Sequence, residues 1–103
     1  MSIEYFAQTG FFISENHIAG IRELLKNDPA VELWDKRRDN RITLRFTDIP
    51  KREAWPEDAV IIFENHSVCL SFHSSPSDGR ESFVKKLEGL LESEGIPCEF
   101  VEE

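Results

Sequence analysis

The period of the apolar positions changes several times along this chain, and each change marks an element. Ile3 to Gln8 reads as a short strand closed by Thr9-Gly10, after which Phe11-Phe12-Ile13 resumes an apolar run. A glycine within such a run indicates a bulge or turn. Ser14 then offers a helix N-cap. Ile18, Ile21, Leu24 and Leu25 recur at helical spacing as far as Asn27-Asp28-Pro29. Gly20 costs this helix about 1 kcal/mol relative to alanine, which points to close packing on a sheet. Val31 and Leu33 alternate with Glu32 and Trp34, and Ile42, Leu44 and Phe46 alternate with Thr43, Arg45 and Thr47. The polar stretch 36–41 joins these runs as a hairpin with one wet face. Pro50 and Pro56 mark 48–58 as loop, and Val60 to Phe63 is a continuous apolar run suited to a central strand. Val68, Leu70 and Phe72, alternating with Cys69, Ser71 and His73, complete a second hairpin.

The second helix carries the fullest set of end signals. Asp78 and Glu81 have capping-box spacing, Phe83, Leu87, Leu90 and Leu91 form the apolar stripe, and Pro97 prevents continuation. Gly95 falls where a left-handed C′ residue belongs, with Ile96 placed to contact Leu91 as in a Schellman motif. Cys98, Phe100 and Val101 then read as a last strand. The element order is β-α-β-β-β-β-α-β. Two amphipathic helices need one apolar surface, which a sheet supplies. The sequence therefore predicts an α+β two-layer sandwich: an antiparallel or mixed sheet of about five to six strands with both helices on one face. A ferredoxin-like or related split arrangement is the natural candidate, with right-handed crossovers wherever the connected strands are parallel.

Composition narrows this to one domain spanning residues 1–103, because 40% apolar and 31% charged residues describe a globular chain rather than a disordered one. Met1-Ser2-Ile3-Glu4-Tyr5 has neither a basic stretch nor a long apolar one, so no secretory leader is expected. No apolar run approaches the roughly 20 residues of a bilayer span. A cytoplasmic protein with two reduced thiols, Cys69 and Cys98, follows as the expectation.

Charge adds a layout. The formal net charge is −8, which disfavours nucleic acid and acidic membranes as partners and favours a basic protein. Residues 36–52 nevertheless hold seven Lys/Arg against two Asp, whereas residues 53–103 hold twelve Asp/Glu against three Lys/Arg. Segregated charge of this kind steers a charged partner and fixes its orientation.

Chemical motifs contribute little. His66, Cys69 and His73 have metal-like spacing, but in a strand His66 faces away from the other two, so no metal or cofactor is expected. A nucleophilic thiolate needs an electropositive setting. Cys98 instead lies among Glu92, Glu94, Glu99, Glu102 and Glu103, which would raise its pKa. The reading that survives is a binding module for one protein partner. In size, acidity and α+β character, though in no residue motif, the chain is similar to bacterial immunity proteins, which neutralise a toxin. The expectation is a chain that is monomeric when free and neutralises one partner, a basic toxin or enzyme, by occlusion. The expected docking residues are Trp55, Glu57, Asp58 and Glu64 on the acidic side, with Trp34, Arg37, Arg38 and Arg45 on the basic hairpin as the competing surface. Charge reversal at Glu57 and Asp58 is expected to weaken binding. The alternatives are a small enzyme or ligand-binding domain using Cys69, Ser71 and His73, and a regulatory or structural subunit that assembles through its sheet.

Overall fold

Local chain chemistry fixes the ends of both helices in the computed structural model, which describes residues 3–33, 40–47, 57–74 and 79–103. Helix α1 (Glu15–Lys26) starts at Ser14, whose Oγ accepts the His17 N–H, while His17 Nδ1 accepts the Ser14 N–H at 3.0 Å. This is a capping box with histidine in the position usually held by Glu or Gln. Ile13 just before the cap and Ile18 in the first turn are both buried, at the two positions of a hydrophobic staple. Helix α2 (Arg80–Ser93) ends as predicted. Gly95 has φ +83°, its N–H donates to the Glu92 carbonyl, and the Ile96 N–H reaches back to Leu91. Its start differs from the expectation. The N-cap is Gly79, at φ +91°, with no side-chain cap; Asp78 lies outside the described residues. Glu81 accepts from the Tyr5 hydroxyl at 3.5 Å.

Among the described residues six strands form one sheet: β1 (Ile3–Gln8), β2 (Val31–Leu33), β3 (Arg41–Phe46), β4 (Ala59–Phe63), β5 (Ser67–Phe72) and β6 (Val101–Glu102). Their spatial order is β2-β3-β4-β5-β1-β6, and every neighbouring pair is antiparallel. Both helical connections therefore join strands that point the same way without being neighbours. α2 carries the chain from β5 to β6 with β1 between them. β4, β5, β1 and β6 have the spatial order of a ferredoxin-like double split β-α-β, with the β2–β3 hairpin inserted between α1 and β4 and placed at one edge. The last strand is shorter than its sequence suggests: Cys98 and Phe100 pack on the core ahead of β6 instead of pairing within it.

Alternation places one face of the sheet under the helices. The register aligns Ile42, Ile61, Leu70 and Tyr5 across four strands. They pack with Ile21 and Leu25 of α1 and with Phe83, Leu87 and Leu91 of α2, all buried. Phe46, Phe72 and Phe83 form an aromatic centre, with centroid separations of 5.2–6.2 Å. Tyr5 meets Phe72 edge-on, in the arrangement that ring quadrupoles favour. Gly20 faces the other helix, not the sheet: a Cβ there would meet the Glu94 carboxylate.

Candidate protein-docking site

The acids predicted as one surface are separated by a strand. Glu57 and Asp58 precede β4, and Glu64 follows it. Five residues at about 3.3 Å each keep the two ends roughly 17 Å apart. Asp58 does not face solvent. It is 8% exposed, its carboxylate accepts the Phe46 N–H at 2.9 Å, and its carbonyl accepts from the N–H groups of His73 and Ser74. Its place in the fold is to clasp the ends of β3, β4 and β5. Glu57 lies against His73, with Oε1 3.8 Å from Nδ1. Arg45 stands opposite Glu32 in the β2–β3 register, so its nearest cross-strand neighbour is an acid of the same chain. Glu64 is exposed. Trp34, Arg37, Arg38 and Trp55 lie outside the described residues.

Cys69 and Ser71 point to the sheet face away from the helices, in register with Phe6 and Glu4 of β1. Burial, and then the charges of Glu4, Glu103 and Glu64, push the Cys69 thiol above its ordinary pKa. The Cys98 thiol is pushed up to about 11, first by burial and then by Glu88, whose carboxylate accepts the Phe100 N–H. The direction is the one the sequence implies, but the cause is burial and Glu88 rather than the acids adjacent in sequence. Both thiols are protonated at neutral pH, the opposite of what nucleophilic attack requires. Among the described residues, no three His, Cys, Asp or Glu side chains converge on a point that could hold a metal. No helix among them is long and apolar enough to cross a membrane.

Apolar side chains are exposed at Phe6 and Val101, paired across β1 and β6, at Leu24 of α1, and at Phe11 and Phe12 near the β4–β5 turn. The connection from β1 to α1 is laced to the β4–β5 turn: the Thr9 N–H donates to the His66 carbonyl and the Ile13 N–H to the Asn65 carbonyl, both at 2.8 Å. The Thr9 hydroxyl donates to the Phe11 carbonyl at 2.7 Å and tightens the bend. Ile13 turns inward, whereas Phe11 and Phe12 turn outward, at 54% and 56% exposed. His66 meets the Phe12 ring edge-on at 6.0 Å. Beside Phe12 an open groove of about 550 Å³ runs between the start of α1 and the β4–β5 turn. Ile13, Ile18 and Phe63 make up its apolar lining, and Glu15 and Glu64 are among its polar lining beside three asparagines. Two adjacent phenylalanines more than half exposed, on a loop whose backbone is pinned, have the character of an interface anchor. In the sequence they form a resumed apolar run, which does not by itself show that they turn outward. Two sequence signals point to it. Thr9-Gly10 ends the alternation of β1, and Ser14 as N-cap assigns the staple to Ile13, which leaves Phe11 and Phe12 with no regular element to bury them.

No family model matches this chain, and comparison with curated proteins and with solved structures found no match.

Proposed function

We propose that this chain is an acidic protein-binding module that neutralises one basic partner, a toxin or enzyme, by occluding its active site. One observation carries the reading: Phe11 and Phe12 are exposed side by side on a pinned loop, next to a groove that Glu15 of α1 and Glu64 of the β4–β5 turn help to line. Aromatic anchors at the centre of an interface supply most of its energy. The net charge of −8 supports a cationic partner, because complementary charge accelerates encounter and orients the two molecules before the anchors engage. The docking surface in this reading is the Phe11–Phe12 loop with Glu15 and Glu64. Asp58 plays no part in it, because its carboxylate is used inside the fold.

The test is capture of the tagged chain from its own cells in moderate salt, followed by mass spectrometry and by assay of the captured protein with and without the chain. One stoichiometric basic protein is expected, inhibited by the wild type and released by the Phe11→Ser/Phe12→Ser double variant. Equal retention by that variant would move the interface elsewhere. A partner whose activity is unaffected would end the neutralisation reading.

A further inference from the structure

We infer that the groove beside Phe12 is a subsite for an arginine side chain of the partner; this rests on the docking surface proposed above. The groove combines three features that one side chain can satisfy together. Its apolar lining, Ile13, Ile18 and Phe63, fits a methylene stem. One wall is the exposed Phe12 ring, held edge-on by His66, and the face of such a ring attracts a cation lying over it. Glu15 and Glu64 both line the groove and bring two acidic side chains to it, acceptors for the planar fork of a guanidinium. A purely apolar anchor would leave both carboxylates facing an apolar group, and an acidic one would be repelled by them. Lysine would satisfy the charge, but it lacks the plane that lies flat on the ring and the paired donors that reach carboxylates on both sides. The N-terminus of α1 carries a partial positive charge, which Ser14 Oγ, accepting the His17 N–H, and the acidic Glu15 in the first turn reduce.

The experiment is selection of a random dodecapeptide library displayed on phage against the intact chain, with counter-selection on the Phe12→Asp variant. Arginine should be enriched several-fold among peptides that depend on Phe12. Replacing that arginine by citrulline, which keeps the shape and removes the charge, should weaken binding at least tenfold. The Glu15→Gln/Glu64→Gln chain should lose the preference for arginine over citrulline while still binding through Phe12. Phe12-dependent binders without arginine, or arginine and citrulline peptides that bind alike, would overturn the subsite and leave the docking loop standing. A library that returns no Phe12-dependent binder would overturn both. Far-ultraviolet circular dichroism of each variant separates loss of binding from loss of fold, and Phe12→Ala serves as the milder replacement if Phe12→Asp unfolds.

Discussion

At the scale of single residues, the acids of this chain divide into those that hold the fold and those that remain on its surface. Asp58 belongs to the first group. Asp58→Ala would leave the buried Phe46 N–H without an acceptor and is expected to cost about 1–3 kcal/mol in urea melts. Glu57→Ala, which loses only its approach to His73, should cost under about 1 kcal/mol. Loss of partner binding on charge reversal at Asp58 would therefore report unfolding and not an interface. Asp58 could not be read from sequence because an acid between loop residues looks solvated, and only the pairing of β3 with β4 supplies its donor. Cys98 carries a different consequence. Its folded pKa is raised to about 11, above the ordinary thiol value of about 8.5 in an unfolded chain. The folded state then holds the proton more tightly, so stability is intact below about pH 8.5 and declines as pH rises toward 11. Chemical denaturation between pH 8 and 11 should show this decline, and Cys98→Ala should reduce it, leaving the part contributed by the raised Cys69 thiol.

At the scale of elements, two glycines of the second helix should respond to the same substitution with opposite signs. Gly89 lies exposed in the middle of α2, and a Cβ there meets nothing within 4 Å. Gly89→Ala should raise stability by about 0.5–1 kcal/mol through helix propensity. Gly95 has equal space around it, but its φ of +83° is unfavourable to any L side chain. Gly95→Ala should lower stability by about 1 kcal/mol. Thermal melts of the two variants check both signs. The end of α2 was legible in full because its signals, glycine, isoleucine and proline in succession, act within one turn. The capping box of α1 was only half legible, since histidine at its third position has no standing in the usual pattern. At the start of α2 the capping-box spacing of Asp78 and Glu81 points to Asp78, whereas the N-cap is Gly79, with no side-chain cap. The outward turn of Phe11 and Phe12 stayed hidden for a related reason. An apolar pair after a strand looks like more strand until the hydrogen bonds from Thr9 and Ile13 to the β4–β5 turn are seen.

At the scale of the whole molecule, element order and layer count followed from apolar patterning together with turn and cap signals, with β4 read from a continuous apolar run and the other strands from alternation. Neighbour relations across the sheet did not. The sequence left parallel and antiparallel pairing open, and only long-range contacts place β1 between β5 and β6. The charge map was legible as a count along the chain but not as a surface, since folding sets Arg45 beside Glu32 and puts Glu57 and Glu64 at opposite ends of β4. The insertion of β1 also settles where anything attached to this chain would hang. The Glu103 N–H donates to the Glu4 carbonyl at 2.9 Å, so both ends of the described chain leave from one corner of the sheet. Phe11 and Phe12 lie beyond the far end of β1, roughly 20 Å away along six strand residues. A tether, tag or further domain joined at either end would leave the aromatic loop pointing outward, like the tip of an arm held at its shoulder.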